Sequence, residues 1–263
     1  MEFFKYEGAG NDFVILDNMS GRFDGLTRSV VARLCDRRFG IGADGLLLLS
    51  RVDDESFRMV YYNQDGSDAS FCGNGARCIC AFAVHSGVVP ADAEFGFVAG
   101  DGHHRAVYRS ADSNVDLQMS PVLGVDIQPD GAYVMNTGVP HYVTFVDDLD
   151  TIDIMSVAPR VRFSPLFAPQ GVNVNFVKIL GDKSVAVRTY ERGVEAETLA
   201  CGTGITASAI AASFKTGADA FDVQARGGKL AVSFSKGADG SFSHILLSGP
   251  AVRTFHGVTD SIV

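Results

Sequence analysis

The chain has 263 residues, 46% of them hydrophobic and 20% charged, with a net charge of −9. This composition is that of a packed globular protein of one large or two smaller domains, and it argues against disorder. With no basic run longer than Arg37-Arg38 it also argues against a nucleic-acid partner, and with no stretch near the roughly 18 apolar residues of a membrane helix it argues against a membrane span.

Along the chain, alternating apolar and β-branched residues predict strands at 3–7 and 13–17. A helix follows over 27–38, with Thr27 as cap and Val30, Val31, Leu34 and Cys35 on one face. Leu46 to Leu49 form an apolar run with no alternation, and the pattern assigns no element there. Strands are predicted at 57–62, 93–98, 104–108 and 114–119, with a helix from Gly75 to Ser86 between the first two of these. The second half is patterned in the same way, with strands at 131–136, 142–146, 173–180, 184–190, 220–224, 229–234 and 243–248, and helices around 153–161 and from Gly204 to Thr216. Two helices are close to apolar all round, with Ile79, Phe82 and Val84 in one and Ile205, Ile210 and Phe214 in the other, so both are expected to be buried. Their alanines allow strands to approach closely. The expected fold is therefore α/β (α+β): two pseudo-symmetric lobes, each a curved, mostly antiparallel sheet wrapped around a central helix. The lobes are read as 1–118 and 119–250, with 251–263 returning to the first and the active site in the cleft between them.

Both buried helices open on the same pattern, Cys72-Gly73-Asn74-Gly75 and Cys201-Gly202-Thr203-Gly204. A cysteine at a helix N-terminus faces the positive end of the macrodipole, which lowers a thiol pKa from about 8.5 into a range of roughly 3.5–7.5. The flanking glycines let a ligand reach backbone N–H groups, which suits an anion such as a carboxylate. One such motif is more simply a buried thiol in front of a helix, but its duplication in equivalent positions favours function. Cys72, Cys78 and Cys80 lack the C-x2-C spacing of a zinc site, and a disulfide-exchange enzyme would carry C-x-x-C. Residues 78 and 80 point about 200° apart on a helix, so at least one is a core cysteine, and Cys35 reads likewise. Five cysteines, odd in number and irregular in spacing, do not form a disulfide framework, and the amino terminus has no signal pattern; a reducing, cytoplasmic setting is expected. Two matched thiols suit inversion of a stereocentre: one removes a proton α to a carboxylate and the other returns a proton from the opposite face, with no pyridoxal or metal required.

Gly8-Ala9-Gly10-Asn11-Asp12-Phe13, Asn63, Cys72-Gly73-Asn74-Gly75-Ala76-Arg77 and Glu191-Arg192-Gly193 through Cys201-Gly202-Thr203-Gly204 occur in order over nearly the whole chain. In these blocks the chain resembles the diaminopimelate epimerase family. The resemblance implies cofactor-independent interconversion of LL- and meso-2,6-diaminopimelate, a step toward lysine and peptidoglycan, by a homodimer with Cys72 and Cys201 as the acid/base pair. It implies substrate contacts at Asn11, Asn63, Asn173, Glu191 and Arg192, with Gly73, Asn74, Gly202 and Thr203 supplying donors to the reacting carboxylate. His141, after Pro140, resembles the family's Pro-His element near the first cysteine and, with Glu191, is a candidate for catalytic support. Two positions depart from many members: Gly45, where glutamine is usual, and Val139, where asparagine is usual. The competing readings are a proline-racemase-like enzyme, which has little use for the Asn63, Asn173, Glu191 and Arg192 set, and a non-catalytic ligand-binding protein on the same scaffold.

Overall fold

A computed structural model describes residues 1–259 of the chain. It divides into two compact units, Met1–Leu117 with the chain from Gly249 on, and Gln118–Ser248.

In the first unit, β1 (Glu2–Gly8) and β2 (Asn11–Asn18) form a hairpin, α1 (Arg28–Cys35) crosses over to β3 (Gly45–Ser50), and β4 (Arg58–Asn63) returns beside it. The short β5 (Asp68–Ala69) leads into α2 (Gly73–His85), followed by β6 (Glu94–Ala99), β7 (Gly102–Arg109) and β8 (Asn114–Gln118). The neighbours are antiparallel except β2 with β3 and β4 with β6, which are parallel because a helix connects each pair.

The second unit repeats this plan. After the short β9 (Asp126–Ile127), β10 (Tyr133–Asn136) and β11 (Pro140–Phe145) form a hairpin, α3 (Ile154–Arg162) crosses to β12 (Asn173–Gly181), and β13 (Ser184–Glu191) returns beside it. The short β14 (Ala196–Thr198) leads into α4 (Gly202–Thr216), then β15 (Ala220–Ala225), β16 (Gly228–Lys236) and β17 (Phe242–Pro250). Here too the parallel pairs, β11 with β12 and β13 with β15, span the helices. The last strand, β18 (Val252–Val258), pairs antiparallel with β1 of the first unit.

Each sheet curls around its second helix: α2 touches β1, β2, β3, β4, β7 and β18, and α4 touches β10, β11, β12, β13, β15 and β16. Residues Asn74 to Ala83 of α2 and Gly204 to Ser213 of α4 are buried. The architecture is thus the expected one, a mixed α/β fold of mostly antiparallel sheet wrapped on central helices.

Four details differ from the sequence expectation. Leu46 to Leu49 belong to β3, every residue of which is buried. Leu46 and Leu48 pack with Val31 and Leu34 of α1, while α2 touches the same strand, so both faces are covered and the polar alternation that announces a strand is missing. The first helix stops at Cys35 rather than reaching residue 38, because the Asp36 carboxylate accepts from the N–H groups of Arg38 and Phe39, both at 2.7 Å, and turns the chain. The motif helices begin at Gly73 and Gly202, so their glycines lie inside the first turn. Phe214, expected in the core, is 38% exposed and carries the Lys236 ammonium 4.5 Å from its ring centre.

Candidate active site

In the first unit the site is assembled from strand ends. Ala9 and Gly10, both left-handed at φ 54° and 83°, make the two-residue turn that sets Asn11 opposite Gly8 as the first residue of β2. Gly45 opens β3 opposite Asn63, the last residue of β4. Asn63 donates through Nδ2 to Ser67 Oγ at 3.1 Å, closing the turn that leads through β5 to Cys72. Cys72 is the N-cap of α2, with extended backbone (φ −146°, ψ 120°) and a side chain that does not cap the helix. The first N–H groups of the helix, contributed by the glycines and Asn74, have no partner within it.

The Cys72 thiol donates to Asn11 Oδ1 at 3.6 Å, and Asn74 Nδ2 donates to the same oxygen at 3.4 Å. Asn11 Nδ2 donates to Asp44 Oδ2 at 2.7 Å. Arg37 Nη2 binds Asp12 at 2.6 Å and Asp44 at 2.8 Å, and Lys5 pairs with Asp12 from β1. Burial on its own raises the Asp12 carboxyl, but hydrogen bonds from Arg37 and Lys5 reverse this and hold it well below the usual carboxylate range. Arg77, fully buried in α2, donates to Asn74 Oδ1 at 2.8 Å.

In the second unit, Cys201 is the N-cap of α4 with the same extended backbone (φ −113°, ψ 108°) and again no side-chain cap. Its sulfur lies 3.5 Å from Thr203 Oγ1, and the Thr137 hydroxyl holds the Thr203 carbonyl at 2.9 Å. His141 on β11 is fully buried and pairs in register with Asn173, the first residue of β12. Asn175 Oδ1 accepts from the Thr189 hydroxyl at 2.9 Å, which aims its Nδ2 at Tyr142 O and His141 Nδ1, both at 3.1 Å. An amide amino group thus stands at each ring nitrogen of His141, that of Asn175 at Nδ1 and that of Asn173 at Nε2, at 3.1 and 3.5 Å. Burial, then repulsion from the Arg192 guanidinium, lowers the imidazole pKa to about 3, so the ring is neutral near pH 7.

Asn173 Oδ1 accepts from the Arg192 backbone N–H at 2.6 Å, tying β12 to the Glu191-Arg192 turn. Burial raises the Glu191 carboxyl above its ordinary value, and the Arg192 guanidinium reaches Gln170 O at 3.4 Å.

Gly204 packs on this cluster: a Cβ there would stand 2.4 Å from Asn175 Oδ1. Cys35, Cys78 and Cys80 are fully buried, and burial pushes all three thiols up, Cys35 to about 12.

The structure thus gathers Asn11, Asn74 and Cys72 in one unit and His141, Asn173 and the Arg192 backbone in the other. Asn63 and Glu191 occupy equivalent ends, of β4 and β13. Sequence reasoning missed Asp12, Arg37, Asp44, Arg77 and Asn175. Two of these had a signal: Arg77 is a lone charge in an apolar helix, and Asn173-Val174-Asn175 puts two amides on one strand face. At Gly45 a Cβ would lie 2.7 Å from Tyr62 O, so the backbone itself occupies the space of the side chain usual there.

Among solved structures, the fold is similar to a Bacillus anthracis phenazine biosynthesis protein (TM-score 0.70, 15% identity, covering 98% of each chain). It is also similar to a probable proline racemase from Agrobacterium radiobacter (TM-score 0.66, 16% identity, covering 98% of this chain and 92% of that one). Among relatives in sequence, the diaminopimelate epimerase of Flavobacterium psychrophilum is 44% identical over 97% of this chain and 98% of its own length. That of Chlorobaculum tepidum is 39% identical over 95% and 98%. A profile of the diaminopimelate epimerase family matches residues 3–122 and 133–253. The chain belongs to the diaminopimelate epimerase family.

Proposed function

We propose that the protein is an isomerase that epimerises LL-2,6-diaminopimelate to the meso form by two-base proton transfer. One of Cys72 and Cys201 acts as thiolate and the other as thiol. The single observation that carries this reading is the equivalence of the two cysteines: each is the extended N-cap of the helix at the centre of its unit, in units of identical strand order. Inversion at carbon needs a base and an acid of the same kind on opposite faces, because the roles exchange in the reverse direction. The N-terminal turns of α2 and α4, with Gly73, Asn74, Gly202 and Thr203, stabilise the carboxylate and the negative charge that develops on it. Asn11, Asn63, Asn173, Glu191 and Arg192 bind the substrate, whose distal amino and carboxyl groups call for an anion, a cation and amides together. His141 supports the site as a buried, neutral imidazole.

The family's pathway context, lysine and peptidoglycan precursor synthesis, follows from the same reading. Chemistry that runs on a free thiol and thiolate fits a reducing cytoplasm. The exposed apolar residues Val252, Phe255 and Val258 on β18 support a homodimer.

The test is solvent-deuterium incorporation at the α-carbon of LL- and meso-diaminopimelate in heavy water, without added cofactor, read by NMR and chiral analysis. Label appearing with inversion is expected. No label under reducing conditions rejects the substrate, and label appearing instead in proline would favour the racemase alternative.

A further inference from the structure

We propose that Ser67 is a positioning residue: its hydroxyl holds the Asn63 amide with the amino group turned into the 63–67 turn and the oxygen turned out, to accept from the distal amino group of the substrate. This role rests on the epimerase reading, in which Asn63 binds the substrate. The donors and acceptors run inward from the first residue of α1. The Arg28 guanidinium pairs with Asp65 Oδ2, and its Nε donates to the Asp65 carbonyl at 3.1 Å. Hydrogen bonds from the Ser67 hydroxyl and backbone N–H, with the guanidinium nearby, hold the Asp65 carboxyl below its ordinary value. Near pH 7 it is a carboxylate and can only accept. Asp65 Oδ1 therefore takes the proton of the Ser67 hydroxyl at 2.5 Å, beside the Ser67 N–H at 2.9 Å.

A serine hydroxyl has one proton. With that proton committed to Asp65, Ser67 Oγ can only accept from its other neighbour, so the atom of Asn63 set against it at 3.1 Å is the amino nitrogen and not the oxygen. Asn63 Oδ1 is thereby turned away from Ser67, and among the described residues nothing donates to it. An outward oxygen suits the N–H donors of an ammonium group and repels a carboxylate.

The turn itself does not depend on this hydroxyl. The Asn63 N–H donates to the Ser67 carbonyl and the Gly66 N–H to the Asn63 carbonyl, both at 2.9 Å. Gly66 is left-handed at φ 79°, and a Cβ there would stand 2.1 Å from the Arg28 carbonyl oxygen, so the backbone is seated directly on the start of α1. Loss of the Ser67 hydroxyl leaves all of these contacts in place and frees only the Asn63 amide to rotate.

The test sets Ser67→Ala against Ser67→Thr, which keeps a hydroxyl. With LL-diaminopimelate, Ser67→Ala is expected to raise KM about five- to tenfold and to leave kcat within about a factor of two, because the distal end binds without taking part in the chemistry. Ser67→Thr is expected to stay within about twofold of the unaltered protein in both. Pimelate, which keeps both carboxylates and lacks both amino groups, is expected to inhibit the unaltered protein and Ser67→Ala with Ki values within about a factor of two. An unchanged KM in Ser67→Ala overturns the role of Ser67. An equal loss of affinity for pimelate overturns the pairing of the Asn63 oxygen with an amino group. The amide is also read without substrate, from the Asn63 side-chain signals in nitrogen-edited NMR spectra of labelled protein, assigned by their loss in Asn63→Asp. Their exchange with water is expected to be at least about threefold faster in Ser67→Ala and unaltered in Ser67→Thr. Faster exchange in a protein that does not turn over diaminopimelate would reject the epimerase reading and leave the Ser67–Asn63 bond standing, whereas unaltered exchange in Ser67→Ala overturns the role of Ser67 whatever the activity.

Discussion

The two units share one strand order, one pair of crossovers and one N-cap cysteine, yet the polar groups packed around those cysteines differ in kind. Around α2 they are charged: Lys5, Asp12, Arg37, Asp44 and a fully buried Arg77. Around α4 the fully packed groups are neutral: His141, Asn173, Asn175, Thr189 and the Thr137 hydroxyl. Arg192 and Glu191 lie beyond them on the turn. The shared backbone plan places each cysteine at a helix N-terminus, whereas its surroundings come from the side chains that arrive from the strand ends. A symmetric scaffold therefore presents its two N-cap cysteines to unlike surroundings.

The largest test of this comparison is removal of either sulfur. Cys72→Ser and Cys201→Ser are each expected to lower epimerisation about 10²–10⁴-fold while the fold survives, as far-ultraviolet circular dichroism would report. Near-normal turnover in either variant would break the two-base mechanism. Arg192→Ala is expected to raise KM far more than it changes thermal stability, since a guanidinium bond to a carboxylate is worth about 1.5–3 kcal/mol. An unchanged KM removes Arg192 from the substrate set.

Acid should separate the two units. His141 titrates at about 3 in the folded protein, against about 6.5 when unfolded, so the unfolded chain takes up the proton first. Its contribution to stability is full above about pH 6.5 and is lost as pH falls toward about 3, by about 2 kcal/mol at pH 5. Asp12 is depressed, so its contribution is full above its unfolded value near 3.9 and is lost only below that. Hydrogen exchange at pH 5 should show the second unit loosened before the first, and His141→Gln should flatten the difference. Equal loosening of both units would contradict the assignment.

The smallest expected effect compares the motif glycines. In Gly204→Ala the new methyl meets Asn175 Oδ1 at 2.4 Å, whereas in Gly75→Ala the nearest atoms are the Phe13 ring at 3.3 Å and Met59 Cε at 3.4 Å. Overpacking costs about 1–3 kcal/mol and alanine recovers up to about 1 kcal/mol of helix propensity. Gly204→Ala should therefore lower Tm measurably and Gly75→Ala should leave it within a degree or two. Equal shifts would mean that the amide cluster yields as easily as the aromatic ring.

Much of the fold was legible because its signals are local. The glycine-opened, alanine-rich helices announced themselves by composition, and most strands by alternation. β3 was hidden because covering both faces of Gly45–Ser50 erases alternation, and short β5, β9 and β14 are set by turns rather than by apolar pattern. Within the site, the cysteine motifs and Asn11, Asn63 and Asn173 could be read as residues, but their orientation could not. Asp12, Arg37 and Asp44 look like solvated surface charges in a linear chain, and become a network only when β1, β2 and the approach to β3 are set side by side.

The sequence alone determined which residues carry thiols, amides and charges, which helices must be buried, and that two halves repeat one theme; composition and periodicity are properties of neighbours along the chain. Only the tertiary structure decided which way the Asn11 and Asn175 amides point, that His141 is buried and neutral and that Cys72 faces the Asn11 oxygen. Those outcomes depend on hydrogen-bond partners 14 to 63 residues apart in the chain, and a donor or acceptor becomes committed only when its partner is in place.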